Sequence, residues 1–260
     1  MRLVFVGGGK MGEALLGGLI SSGWAPASEL GVVEPSDARR AELAAAFPDV
    51  QLVDDAGGAD VIIAVKPQHV PAVAESLRGS GTGRVLSIAA GVTIDSMESW
   101  LDDGTRVIRA MPNTPALVGQ GAAGIAGGSA TDQGDLDWAQ SILESVGIVQ
   151  VLTEDQLDAV TAVSGSGPAY VFLVAEAMIA AGLSVGLAPD VADALTRQTL
   201  LGAATLLSES GEDPAVLRTN VTSPGGTTAE GLRVLEGHGL RTAFAEAISA
   251  ATARSVELGS

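Results

Sequence analysis

The apolar positions of the chain change rhythm after residue 152. Before it, short β-rich apolar runs at 3–6, 31–33, 61–65, 85–88 and 105–108 are separated by stretches of helical periodicity at 11–22, 37–47, 68–77 and 94–101. Continuous apolar strands suit a sheet covered on both faces, and strands alternating with helices suit parallel βαβ units. A weaker strand at 121–126, a helix at 132–145 and a strand at 148–152 complete this part. Beyond it only helices are expected, at 154–163, 169–183, 189–208, 227–236 and 240–257. The pattern predicts an α/β Rossmann-type doubly wound parallel sheet over residues 1–153 and an all-α domain over 154–260. Several late helices are apolar on more than one face; Glu176 is the only charge in 171–181. Such helices need burial on all sides, which a segment this small does not easily supply alone. The helical part is therefore expected to be a dimerisation domain.

The first strand runs into a glycine loop in which Gly7, Gly9 and Gly12 have the G-x-G-x-x-G spacing, with Lys10 and Met11 between the last two. The first glycine permits a tight turn, the second lets backbone approach a pyrophosphate, and the third lets the helix pack close to the strand. With a strand before and a helix after, the loop reads as a dinucleotide site. Glu34 follows the second strand, where an acidic side chain can accept from ribose hydroxyls and favour NAD. Ser36, Arg39 and Arg40 lie just beyond and could instead hold a 2′-phosphate, so NADPH and NADH both stay open.

Ligands of a doubly wound sheet sit at the carboxyl ends of its strands. Ala64, Val65, Lys66 and Pro67 end one strand; Ala89, Ala90 and Gly91 end the next, small enough to admit a nicotinamide ring. Arg109, expected just past the strand at 105–108, could bind an anion or tie its loop to an acidic neighbour. In the helical part, two loops precede helices: 164–170, with Ser164, Gly165, Ser166 and Gly167, and 223–228, with Ser223, Gly225, Gly226, Thr227 and Thr228. Hydroxyls and bare amides at a helix start cradle a small carboxylate, although they also serve as ordinary caps. The second loop carries more of them than capping needs.

Composition narrows the chemistry. With no cysteine there are no disulfides, thiolate nucleophiles or cysteine metal sites. The two histidines, His69 and His238, are far apart, which disfavours a histidine metal site or a Ser-His-Asp relay. A net charge of −17, nine units of it in 1–153 and eight in 154–260, argues against nucleic acid as a partner. No uninterrupted apolar run reaches bilayer length, and the first residues lack a basic segment followed by a cleavage site. A soluble cytoplasmic protein without membrane partners is expected. Lys10 and Lys66, the two lysines, and Tyr170, the single tyrosine, all fall within glycine- or proline-marked motifs.

The motifs at 7–12, 64–67, 89–91, 109–116, 164–170 and 223–228 together resemble, in order and spacing, the pyrroline-5-carboxylate reductases, which complete proline biosynthesis. The resemblance spans essentially the whole chain, and the loop at 223–228 is its most specific part. It implies an N-terminal nucleotide-binding domain and a helical domain that interlocks with a partner, as a homodimer or a decamer built as a pentamer of dimers. It further implies that residues 7–12 hold the pyrophosphate, Ser36 lies near the adenosine ribose, 64–67 and 89–91 line the nicotinamide side, and Asn220 reaches the cofactor. Val221, Ser223, Gly225, Gly226, Thr227 and Thr228 would receive the substrate, with Thr228 hydrogen-bonded to the ring nitrogen. A protonated imine already accepts hydride well, so neither a metal nor a strong acid is needed.

Three rivals compete. β-Hydroxyacid dehydrogenases share the glycine loop but resemble one another in using a lysine from the helical domain, and residues 154–260 contain none. Another imine or opine-type reductase differs only in substrate. A non-catalytic NAD(P)-sensing protein would have no use for an intact loop at 223–228.

Overall fold

The computed structural model describes residues 1–259. Eight strands form one sheet: β1 (Leu3–Val6), β2 (Leu30–Val33), β3 (Gln51–Val53), β4 (Asp60–Ile63), β5 (Arg84–Ser87), β6 (Arg106–Met111), β7 (Gly121–Gly127) and β8 (Gly147–Val151). Their order is β3-β2-β1-β4-β5-β6-β7-β8. Pairing is parallel from β3 to β6; β7 then runs antiparallel to β6, and β8 parallel to β7. The sheet is thus parallel-dominated, with a reversed pair at one edge in place of the uniform direction expected.

Five helices cover the sheet: α1 (Lys10–Ser21), α2 (Asp37–Ala46), α3 (Val70–Leu77), α4 (Ile94–Trp100) and α5 (Gln133–Leu143). The two-residue period of a strand divides β1 between two cores. Leu3 and Phe5 pack with Leu15, Leu16 and Leu19 of α1 and Ile142 of α5, whereas Val4 and Val6 pack with Val70 and Ala74 of α3 and Met97 of α4. That is why the strands read as unbroken apolar runs.

The short strand β3 was not anticipated: it has three residues, sits at the sheet edge, and exposes Gln51. The helical part contains α6 (Leu157–Val160), a π-helical turn at Thr161–Gly165, α7 (Gly167–Ser184), α8 (Pro189–Ser210), α9 (Pro214–Asn220), α10 (Thr227–Gly237) and α11 (Leu240–Leu258). Helix α9 was also not anticipated, although Asp213 caps it through the Ala215 amide and Pro214 occupies its first turn.

The chain divides into two compact units. The first is Met1–Pro168 with the C-terminal residues from Ala250 onward, and the second is Ala169–Ser249. In the second, Gly182 of α7 lies where a Cβ would come 3.2 Å from Ala192 of α8, and Tyr170 meets Phe244 edge-on at 6.3 Å. None of the 18 residues of α7 is buried, and Phe172, Leu173, Leu195 and Leu201 are exposed. The continuous helical stretch Glu154–Ser184, 31 residues containing an 18-residue window of mean hydropathy 1.5, is long and apolar enough to cross a bilayer by length and composition. Its apolar run is nevertheless broken by Ser164, Ser166 and Glu176, so no uninterrupted apolar segment of bilayer length occurs in it. Its first turns, however, pack on the sheet: Leu157 and Ala162 are fully buried.

Candidate active site

Strand register brings three loops to one edge. Val6 pairs with Val33 on one side and Ile63 on the other, so the chain leaves β1, β2 and β4 at the same level. Gly7 N–H donates to Val33 O at 2.9 Å and Ala64 N–H to Val6 O at 2.8 Å. The strand order reverses at β1, which opens a crevice at the carboxyl ends of these strands.

The three glycines of the loop are there for different reasons. Gly7 has φ +106°, and a Cβ on it would lie 2.7 Å from Ala64 O. A Cβ on Gly12 would lie 2.6 Å from Gly7 O. Both positions are closed to any side chain by conformation or packing. Gly9 has an ordinary φ of −65°, and a Cβ there would meet nothing within 4 Å. Neither fold nor packing requires glycine at that point. Gly9 is also the N-cap of α1 without a side-chain cap, so the amides of Lys10, Met11 and Gly12 face outward without helical partners. Bare backbone, open space and unpaired amides at a helix start fit an approaching pyrophosphate. Lys10 is 81% exposed at the rim, while the Met11 side chain packs on the core and leaves only its backbone to the loop.

At the end of β2 the Glu34 carboxylate spans two amides, accepting from Gly8 N–H at 2.9 Å and Ser36 N–H at 3.0 Å. Arg39 donates to Gly8 O and to the carboxylates of Glu13 and Glu42, at 2.6, 2.5 and 2.6 Å. The Glu13 hydrogen bond is the main cause that holds its pKa above the ordinary arginine value. Arg40 reaches the carbonyls of Glu34 and Val53. Beside this rim, a cavity of about 410 Å³ is lined by apolar Val6, Val33, Ala56 and Leu77 together with the polar side chains of Asp54, Asp55, Ser76, Arg78 and Ser80.

Ala64 to Pro67 and Ala89 to Gly91 stand at the ends of β4 and β5, joined by Ile88 N–H to Ile63 O at 3.1 Å. Pro67, Ala90 and Gly91 line a cavity of about 330 Å³ with Ser166 and Arg254. A Cβ on Gly91 would lie 3.2 Å from Leu258 O, so the last turn of α11 packs onto this loop. Sequence reading did not find the contribution of Arg254 and Leu258, and no spacing signals it.

Two sequence expectations are corrected. Arg109 does not follow its strand but lies within β6, because the strand continues to Met111 in pairing with β7. Its guanidinium is buried, donating to Glu154 at 2.9 Å with Asp158 at 3.9 Å. Segment 164–170 is not a loop before a helix: Thr161–Gly165 form a π-helical turn that runs into α7. Asn113 braces this turn, donating to Ser164 O at 3.0 Å and accepting from Ala122 N–H at 2.9 Å.

In the second unit, Gly226 is the N-cap of α10 with no side-chain cap, and Gly225 has φ +71°. A Cβ on Gly226 would run into Ser223 Oγ. Thr227 and Thr228 are exposed in the first turn, so their hydroxyls are not spent on capping. Asn220 ends α9, and Val221 follows it, exposed.

A glycine-loop crevice at the reversal of a parallel sheet, followed by a helical region, defines a Rossmann-type NAD(P)-dependent oxidoreductase. Residues 154–258 match the family profile for pyrroline-5-carboxylate reductase dimerisation, and residues 2–91 that for NADP oxidoreductase coenzyme F420-dependent proteins. The chain is 40% identical to pyrroline-5-carboxylate reductase of Corynebacterium melassecola, over 99% of this chain and 98% of that one. For the Pseudomonas aeruginosa enzyme the figures are 41%, 99% and 96%. The structure is similar to that of a Coxiella burnetii pyrroline-5-carboxylate reductase, with TM-score 0.94, 38% identity and coverage of 100% and 98%. It is also similar to a Plasmodium falciparum pyrroline carboxylate reductase with NADP bound, with TM-score 0.85, 29% identity and coverage of 100% and 98%. The chain belongs to the pyrroline-5-carboxylate reductase family.

Proposed function

We infer that this chain reduces 1-pyrroline-5-carboxylate to L-proline with NAD(P)H. The observation that carries the reading is Gly9, a glycine that the fold itself does not need, at the start of a helix with unpaired amides. NAD(P)H supplies a hydride to the imine carbon; the C=N bond becomes C–N, and the nitrogen keeps its proton. In the first unit, Gly7, Gly9, Lys10, Met11 and Gly12 hold the pyrophosphate, and Glu34 and Ser36 meet the adenosine ribose. Ala64, Val65, Lys66, Pro67, Ala89, Ala90 and Gly91 border the nicotinamide. In the second unit, the amides near Gly226 and Thr227 bind the substrate carboxylate, with Ser223, Gly225 and Val221 beside them. The Thr228 hydroxyl hydrogen-bonds the ring nitrogen, and Asn220 reaches the cofactor. A boundary near 153/154, before the helical region, is part of the same reading and is supported by the dimerisation match beginning at 154, although the compact units divide at Pro168/Ala169.

The same reading makes the protein a cytoplasmic homodimer, with a pentamer of dimers as its higher assembly and no nucleic-acid or membrane partner. Exposed apolar side chains along α7 and α8 support self-association, and the charge of −17 is unsuited to nucleic acid. The direct test is loss of reduced-nicotinamide absorbance when pyrroline-5-carboxylate is added with NADH or NADPH. Oxidation dependent on that substrate is expected; none with either cofactor refutes the reading.

A further inference from the structure

We propose that Glu34 makes this chain selective for NADH over NADPH by accepting from the adenosine ribose and repelling a 2′-phosphate. The inference rests on the dinucleotide reading above and adds the choice between its two forms. Each Glu34 oxygen holds one backbone amide, Gly8 N–H at 2.9 Å and Ser36 N–H at 3.0 Å. A carboxylate oxygen accepts more than one hydrogen bond, so both oxygens keep capacity for ribose hydroxyls. The two amides also pin the carboxylate, so it cannot swing aside without abandoning them.

The groups that could receive a 2′-phosphate are already engaged. The Ser36 amide is bound to Glu34, and its hydroxyl accepts from Arg39 N–H as the N-cap of α2. Arg39 is neutralised by Glu13 and Glu42, and its Nε is bound to Gly8 O. Arg40 donates to the carbonyls of Glu34 and Val53 and faces Asp54 at 3.8 Å. The cavity at this point, about 400 Å³, is lined by Glu34, Asp37 and Asp54 against Arg40 alone. Three carboxylates to one guanidinium is the wrong balance for a phosphate monoester carrying nearly two negative charges. It suits a neutral diol.

The test measures dissociation constants of NADH and NADPH on the full-length protein without substrate, by nucleotide fluorescence, for wild type and Glu34→Gln. Wild type should bind NADH at least about tenfold more tightly, with the gap narrowing as salt screens the repulsion. Glu34→Gln, which keeps the shape and loses the charge, should bring the ratio close to one. Equal binding, or tighter NADPH binding, in wild type overturns the selectivity while leaving the dinucleotide reading intact. A Glu34→Gln ratio equal to wild type also overturns it, since Glu34 would not be the determinant. Should that variant misfold, a wild-type preference that ignores salt overturns it instead. Binding of neither nucleotide sinks both readings together.

Discussion

The guanidinium of Arg109, buried within β6, donates to the carboxylate of Glu154 at 2.9 Å. The same carboxylate oxygen accepts from Ile94 N–H at 2.8 Å, and Ser255 Oγ donates to the neighbouring Asp158 at 2.6 Å. One ionic knot therefore ties β6, the start of α4, helix α6 and the end of α11. Glu154→Ala leaves Arg109 with a single distant partner and an amide unpaired. Urea unfolding should find the variant less stable by about 1–3 kcal/mol, because the pair is only partly desolvated. Affinity for reduced nucleotide should not change, and a selective gain of affinity on freeing the guanidinium would make Arg109 an anion site after all.

Gly9→Ala and Gly12→Ala separate ligand space from fold space. The alanine at 9 enters open volume, so stability should move by no more than about 1 kcal/mol. Its nucleotide affinity should nevertheless fall about tenfold or more. The alanine at 12 collides with Gly7 O, and thermal denaturation should register a loss of about 1–3 kcal/mol. Unaltered nucleotide affinity in Gly9→Ala would remove the loop from cofactor binding.

Thr228→Ala tests the substrate side. Steady-state kinetics should record a fall in kcat of about a hundredfold, with the dissociation constant for NAD(P)H unchanged and Thr228→Ser largely restoring turnover. Near-normal turnover in the alanine variant would take Thr228 out of the reaction.

Phe172 is 62% exposed on α7, a helix with no buried residue. If a second copy covers that face, Phe172→Glu buries an unpaired charge in the interface. Light scattering should then report the 25.9 kDa chain as a monomer, where wild type gives at least twice that mass. A variant that keeps the wild-type mass would place the interface elsewhere.

Asp60 provides a pH signature. Burial raises its pKa above 3.8, partly offset by Arg84 at 3.7 Å. A carboxyl raised in the folded state binds its proton more tightly there than in the unfolded chain. Its contribution is thus fully present below the unfolded pKa and is lost as pH rises through the folded value. Asp60→Asn should gain stability relative to wild type between about pH 4 and neutrality. Urea midpoints that run parallel across that range would contradict the raised value.

What could be read before folding was whatever is written in neighbouring residues. The buried strands announced themselves as apolar runs, the glycine loop as a spacing between a strand and a helix, and the helical region as alanine- and leucine-rich periodicity. β3 escaped because three residues at an exposed edge carry no period. Helix α9 escaped because its signal is one Asp-Pro pair before seven residues.

The sequence by itself determined the class of fold, the position of the glycine loop between strand and helix, and the family, because strand patterning, turn chemistry and motif order are local properties of the chain. Tertiary structure alone decided that Arg109 is a structural cation, that the Glu34 carboxylate bridges Gly8 and Ser36, and that Leu258 packs on Gly91. It also decided that Gly12 is packed while Gly9 faces open space. Each of these depends on sheet register and helix packing bringing separate segments together, and no local pattern encodes where a strand stops or which side chain another segment will meet.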